Sequence, residues 1–259
     1  KCLADPAFNR MPEPGDRSLA QLFCGYSLKE KQKILFARSE PIRQEKVEYP
    51  PLEGDREHPF WTRCVLKKDL LSAARRYGKS RGASVNDLLL AAYARALRNW
   101  TGSAHIEVPC PVDLRKYKKD KKPCGLCNLT GNYRCAADIP SDEPFDETLR
   151  KISAQMSAQK KSTACLQGPA ALNLVFRLLP LPGLSRLFPK IFKIPVASYT
   201  NLGILDERRL AFSGTEISDA FFVTAVKSAP YFQVSVSTWK GACTLSSAFY
   251  GTPEDEKKI

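Results

Sequence analysis

No stretch of this 259-residue chain is apolar for long enough to cross a bilayer. The longest apolar region, residues 172–197, is interrupted by Arg177, Pro180, Pro182, Gly183, Arg186, Pro189, Lys190 and Lys193, whereas a spanning helix needs about 20 consecutive apolar residues. The opening residues, KCLADPAFNR, contain neither an initiator methionine nor an apolar run, so no secretory signal is expected there. A disulfide framework is missing too. The nine cysteines are odd in number and scattered at positions 2, 24, 64, 110, 124, 127, 135, 165 and 243, a usage that points to reduced thiols in the cytoplasm. Histidine is scarce, with His58 and His105 the only two. No ribonucleoprotein, zinc-finger or helix-turn-helix pattern accompanies the net charge of +13, which argues against nucleic acid and leaves solvated lysines or an anionic ligand as the readings of that charge.

What is present suffices for a folded domain. Hydrophobic residues make up 43% of the chain and aromatics 10%, enough for a sizeable core. Residues 1–57 are rich in proline, charge and turn formers, with one short helix expected around Ser18 to Phe23, and read as a linker or crossover; residues 58–259 read as the compact lobe. At the far end Thr252 is placed as an N-cap, Pro253 as the first helical residue, and Glu254, Asp255 and Glu256 where the helix dipole favours anions. With no initiator methionine at one end and that helix cut short at the other, the sequence is expected to be a segment of a longer polypeptide.

Between these ends the pattern alternates strands and helices. FWTRCVL predicts a strand and Asp69 to Tyr77 a helix that stops near Gly78 or Gly82. Ser84 and Asp87 form a capping-box start for a helix whose Val85, Leu88, Leu89, Ala92, Tyr93, Ala96, Leu97 and Trp100 recur at helical spacing. HIEVPCPVDL alternates Ile106, Val108, Cys110, Val112 and Leu114 on one side, and Pro109 and Pro111 place it at an edge or bulge. A strand is predicted over Asn132 to Ile139, a helix over Phe145 to Lys161, and a proline-broken helical stretch over Ala171 to Phe192. Four closing strands are expected in PVASYTNLG, DAFFVTAVKSAP, YFQVSVSTW and ACTLSSAFYG, with Gly241 turning between the last two. FFVTAV is apolar on both faces and so is expected inside a sheet. YFQVSVST alternates, which predicts that Gln233, Ser235 and Ser237 face water or a polar cleft. The fold class is α/β, a mixed sheet with helices packed on it.

The ordered set ASVNDLLLAAYARALRNW, VPCPVDLRKY, NLTGNY, SYTNLG and FVTAVKSAPYFQVSVSTWKGACTLSSAFYG, over residues 60–259, resembles the C-terminal half of the condensation-domain and chloramphenicol-acetyltransferase-like superfamily, with bacterial alcohol-acetyltransferase-like proteins as the nearest in pattern. The resemblance implies two similar lobes with acyl donor and acceptor meeting in a tunnel between them. Coenzyme A or a carrier-protein thioester would be the donor, a small alcohol or amine the acceptor, and a first lobe would supply the H-H-x-x-x-D-G histidine. That motif is absent here: neither His58 nor His105 has a histidine before it or Asp-Gly after it. The partner is therefore expected to be an N-terminal lobe of the same protein, with self-association through the uncovered lobe interface as a further expectation. A binding or scaffold lobe without catalysis is the reading from another functional class.

Acyl transfer needs a base for the acceptor's proton and donors aimed at the developing oxyanion. By the resemblance, the strand of Ser198, Thr200 and Asn201 borders the tunnel, and a hydroxyl there, with Asn201, would position the reacting carbonyl; the alternative makes them ordinary strand and turn residues. Asp113 and Arg115, two apart, read as an ion pair at the edge strand or lobe interface. Lys116, Lys118 and Lys119, within KYKKDKK, would meet coenzyme A phosphates if the loop faces the tunnel mouth, and otherwise are a solvated loop. Cys124 and Cys127 form a single C-x-x-C pair. Four-thiolate zinc sites use two such pairs, so the segment reads as a loop and no metal is expected. The apolar stretch LNLVFRLLPLPGLSRLFPKIF reads as an acyl-chain wall, a membrane-lying segment, core, or a surface covered by another lobe.

Overall fold

The computed structural model describes residues 14–37, 53–54, 57–120, 122–180, 182–186, 196–210, 215–228 and 231–258. Along these run α1 (Leu28–Leu35), β1 (Pro59–Leu66), α2 (Lys68–Ser80), α3 (Val85–Thr101), β2 (His105–Asp113), β3 (Thr130–Asp138), α4 (Phe145–Lys160), α5 (Gln167–Leu178), β4 (Ala197–Ile204), β5 (Lys227–Ser228), β6 (Phe232–Trp239), β7 (Ala242–Tyr250) and α6 (Pro253–Lys258).

The central helix starts where the sequence says it should. Asp87 N donates to Ser84 Oγ at 3.2 Å and Ser84 N donates to Asp87 Oδ2 at 3.0 Å, satisfying two amides that the first turn of α3 leaves open. At the other end Gly102 adopts φ 72°, a left-handed cap that suits glycine. Leu90, Ala91, Ala94 and Leu97 of α3 are buried with Val108, Tyr133, Leu149, Ile152 and Met156 in one continuous core, so α3 is clamped between α4 and the strands.

The main sheet has the order β1-β7-β6-β4, and β5 pairs with the end of β7 that β6 leaves open. β1 and β6 flank β7 antiparallel, while β4 lies parallel to β6. β2 and β3 form a separate antiparallel ladder, and β2 runs close beside β4. Pro109 and Pro111 face Arg134 and Asn132 across that ladder, and being unable to donate they sit in a strand with a partner on one side only. Lys240 at φ 45° and Gly241 at φ 87° make the tight turn between β6 and β7.

The tertiary structure corrects four expectations. FFVTAV is not inside a sheet. Residues 216–226 form an irregular strap, and among the described residues of the expected strand only Lys227 and Ser228 pair, with Phe249 and Tyr250. Ser235 and Ser237 on the polar face of β6 do not meet water, at 0% and 1% exposed, because the strap lies over them, while Gln233 of the same face is half-buried. Leu114 and Arg115 lie beyond the strand, in a 3-10 turn that Asp113 caps, so Leu114 is buried from a turn position. α5 begins at Gln167, earlier than expected, and none of its residues is fully buried; the part of that apolar stretch over residues 187–195 lies outside the described residues.

Two further devices tie the sequence ends to the domain. The short helix expected at Ser18 to Phe23 is a 3-10 turn over Leu19–Phe23. α1, which periodicity did not announce, follows it with its own capping box between Ser27 and Glu30, and Leu22, Phe23 and Ile34 join the core. At α6 the Asp255 carboxylate, 0% exposed, accepts from the amides of Glu53 (2.8 Å), Gly54 (2.9 Å) and Thr252 (3.0 Å). Burial pushes this acid's pKa up, but the three amides win and hold it below the usual carboxylate range.

Candidate functional site

Ser198 and Thr200 belong to one face of the main sheet. The register sets Ser198 beside Gln233 and Thr200 beside Ser235, then Ser235 beside Ser246 and Ser246 beside Arg63. Side chains in register share a face, so a row of small hydroxyls runs from β4 across the sheet to Arg63. The strap covers the middle of this row. Ser246 Oγ lies 2.6 Å from Phe222 O, Ser235 Oγ lies 2.7 Å from Ser246 Oγ, and Phe222 N donates to Ser237 Oγ at 3.0 Å. Arg63 pins the strap from the edge through Asp219 (2.5 Å) and the Phe221 ring (4.6 Å), and Lys240 holds Glu216 at 2.9 Å. At the β4 end Ser198 and Thr200 are half-buried, and their hydroxyls make no hydrogen bond among the described residues. They lie at the β4 end of the covered polar seam.

Asn201 is not on that face. Strand alternation turns it toward α3, where its Nδ2 donates to Asn86 Oδ1 at 2.8 Å and its Oδ1 accepts from Gly203 N at 2.8 Å. Tyr199 OH, buried on the same side, donates to the same Asn86 oxygen at 3.1 Å. The ladder with β6 shifts between Asn201 and Gly203, so Leu202 bulges out, 53% exposed. Asn86 thus fixes both the strand and its bulge from the first turn of α3. The signal for Asn86 lay in SVND: Ser84 and Asp87 account for the cap, and the polar residue between them needed a partner elsewhere.

The remaining candidates lie on other parts of the surface. Arg115 Nη1 meets Asp113 Oδ1 at 3.1 Å, and Arg115 Nη2 donates to Cys127 O at 2.8 Å. The pair comes from the turn rather than from a shared strand face, and at this exposure it is worth at most about 1 kcal/mol. Lys118 pairs with Asp120, Lys119 with Glu30 at 2.5 Å, and Lys116 sits over the rings of Tyr117 and Tyr133 at 5.3 and 5.1 Å. Two of the three cations are neutralised by acids of the same chain.

The C-x-x-C loop serves as a berth for residues 14–21: Leu126 N donates to Pro14 O at 2.8 Å, Gly125 N to Gln21 Oε1 at 3.3 Å, and Gln21 Nε2 to Cys127 Sγ at 3.3 Å. Among the described residues no three metal-ligating side chains converge. Cys110 and Cys135 are buried, and burial pushes both thiols up, Cys135 to about 12. His105 is 8% exposed, its Nδ1 lies 2.6 Å from Asp138 Oδ1, and its Nε2 is buried without a hydrogen-bond partner. The carboxylate directly opposite it, its register partner across β2 and β3, was not visible in the sequence.

The 15-O-acetyltransferase TRI3 of Fusarium sporotrichioides superposes with a TM-score of 0.58 at 17% identity, over 81% of this chain and 45% of its own. Polyketide synthase associated protein 5 of Mycobacterium tuberculosis gives 0.57 at 17%, over 96% and 61%. The epimerization domain of the third module of tyrocidine synthetase B gives 0.55 at 13%, over 96% and 57%. Condensation domains are among further matches. The fold is that of the condensation and acetyltransferase domains. No protein-family model and no curated sequence matches the chain.

The chain spans about half the length of the condensation-type structures it matches. The described residues place half-buried hydroxyls at β4, and His105 is buried. No helix among the described residues is long and apolar enough to cross a membrane.

Proposed function

We propose that this chain is the C-terminal lobe of an acyltransferase that moves an acyl group from a coenzyme A or carrier-protein thioester to a small alcohol or amine, with the histidine base supplied by an N-terminal lobe of the same protein. The observation that carries the reading is the match to an acetyltransferase over most of this chain but under half of the partner, combined with hydroxyl donors at β4 and a buried His105. In the proposed reaction the acceptor oxygen or nitrogen attacks the thioester carbonyl as the other lobe's imidazole takes its proton. The carbonyl oxygen gains charge, and Ser198 or Thr200 donates to it. The C–S bond then breaks, and the imidazolium returns its proton to the thiolate leaving group. Asn201 acts as a positioning residue through Asn86, holding the strand in register. Lys116, which makes no ion pair among the described residues, would be the first of the three lysines to meet a phosphate; Lys118 and Lys119 would have to give up Asp120 and Glu30.

Two measurements test this. The coding sequence upstream should contain H-H-x-x-x-D-G, and its absence would leave the scaffold reading in place. In the two-lobed protein, Ser198→Ala with Thr200→Val should lower kcat by about 10² to 10³ if either hydroxyl is an oxyanion donor, since one such donor is worth about 3 to 4 kcal/mol. Unchanged thiol release from acetyl-coenzyme A would remove both residues from the chemistry.

A further inference from the structure

α1 and α5 are joined where α1 ends. Gln167 Nε2 donates to Leu35 O at 3.3 Å and to Ala37 O at 2.7 Å, so the first turn of α5 occupies carbonyls that the end of α1 leaves open. Yet the pair does not bury its apolar side chains. Leu28 is 79% exposed, Phe36 77%, Leu178 70% and Phe176 52%, and no residue of α5 is fully buried. Cations stand among them. Lys29, Lys31 and Lys33 of α1 and Arg177 of α5 are exposed, and none of the four makes an ion pair among the described residues. The one acid of α1, Glu30, is held by Lys119, and no Asp or Glu occurs in the sequence between Glu147 and Asp206, a run that includes all of α5. Between the two helices lies a cleft of about 190 Å³, lined by Phe23, Leu35 and Leu174 and also by Lys31 from one helix and Arg177 from the other.

We infer that the α1–α5 face docks on an anionic phospholipid surface, its leucines and phenylalanines entering the headgroup boundary and its cations meeting lipid phosphates. The local charge chooses the sign of the partner: unpaired cations with no unpaired acid on either helix fit an anionic surface. A second copy of the same face is excluded by the same charge, since a twofold contact would set lysines against lysines. The interleaving of the residues favours lipid over protein. A protein interface gathers its apolar residues into a core from which lysine is depleted, whereas here Lys29 and Lys33 share an arc of about 140° with Leu28 and Phe36, opposite the buried Ile34. Long cationic stems lying among apolar side chains, with their charges reaching the headgroups, are the pattern of an interfacial helix. The cleft gives one lipid a seat, with its phosphate between Lys31 and Arg177 and its first methylenes over Leu35 and Leu174. Of the readings open for the apolar stretch that begins in α5, the membrane-lying one is therefore the one its exposure supports. The face is built from α1, α5 and the turns at Leu19–Phe23 and Ala164–Leu166 on which they pack, so it stands independently of the acyl-transfer reading.

The full 259-residue chain is sedimented with sucrose-loaded vesicles of phosphatidylcholine, with and without phosphatidylserine, at about 0.1 M salt, where charges are screened beyond about 10 Å. Vesicles containing phosphatidylserine should carry the chain down, and those of phosphatidylcholine alone should not. Lys31→Gln with Arg177→Gln should weaken partitioning about 25-fold, about fivefold for each cation near an anionic surface. Phe176→Ser with Leu178→Ser leaves the charge unchanged and should weaken it at least about tenfold, through lost apolar burial. Arg75→Gln with Arg76→Gln removes the same charge from the exposed side of α2 and should cost less than about twofold, those charges lying off the face. All the substituted residues are exposed, so the far-UV circular dichroism should stay as it is. The inference is overturned if phosphatidylserine does not raise sedimentation, if Phe176→Ser with Leu178→Ser binds like the parent, or if the α2 pair matters as much as Lys31 and Arg177. It also falls if the chain self-associates through Phe176 and Leu178 without vesicles, or if the two-lobed protein fails to bind vesicles that this chain binds, which would give the face to the other lobe.

Discussion

The strap over the hydroxyl row should fail in a non-additive way when its serines are removed. Each serine has one hydroxyl proton. The shortest contacts assign that of Ser246 to Phe222 O at 2.6 Å and that of Ser235 to Ser246 Oγ at 2.7 Å, forming a relay; yet Ser235 Oγ also lies 3.1 Å from Phe222 O. Ser246→Ala therefore frees Ser235 to serve the carbonyl, and the loss should be about 1 kcal/mol, the ordinary net worth of a buried hydrogen bond. Ser235→Ala alone leaves Ser246 on Phe222 O and should cost about as much. The double substitution leaves Phe222 O without either hydroxyl beneath the strap, adding the penalty of an orphaned acceptor, about 1 to 3 kcal/mol. Hydrogen exchange in peptides covering residues 216–228 reads the opening of the strap. Exchange should quicken about fivefold in each single variant and at least about one hundredfold in the double, since about 1.4 kcal/mol is tenfold. A double variant whose effect equals the product of the single ones would show that the two hydroxyls do not share one acceptor, and would refute the relay.

Two further outcomes follow from particular contacts. The hydrogen bond from Lys119, followed by those from Ser27, holds the Glu30 carboxyl at about 2 against an ordinary 4.5; a depressed acid stabilises the fold above its unfolded value and loses that contribution as pH falls through the folded one. The α1 cap should therefore loosen between about pH 4.5 and 2, seen as faster exchange in residues 28–35, and Glu30→Gln should remove that pH dependence. Gly125→Ala would place a Cβ 2.1 Å from Asp16 O, a backbone clash that costs about 1 to 3 kcal/mol. Residues 14–23 should lose protection while α4 keeps its own, and equal protection in the variant would show that the loop is not their berth.

Much was legible in the linear pattern because it depends on local geometry. The capping box at Ser84, the alternation of Ile106, Val108, Cys110 and Val112, the Lys240–Gly241 turn and the Thr252–Asp255 start each rest on a few adjacent residues and need no distant partner. The same locality explains the errors. FFVTAV has the composition of an interior strand, but backbone bonding sites on β7 are taken by β1 and β6 along most of its length, so the segment lies across the sheet face instead. Ser235 and Ser237 look solvent-facing by alternation, and nothing in their neighbours announces the strap that buries them.

The sequence by itself determined most of the element types and the α/β class, because helix caps and strand alternation are properties of neighbours. Only the tertiary structure decided that Ser198 and Thr200 face the hydroxyl row while Asn201 turns away to Asn86, and that Lys118 and Lys119 are spent on Asp120 and Glu30. Those outcomes depend on which residues meet across long stretches of chain, and a contact between distant residues leaves no periodic trace in either of them.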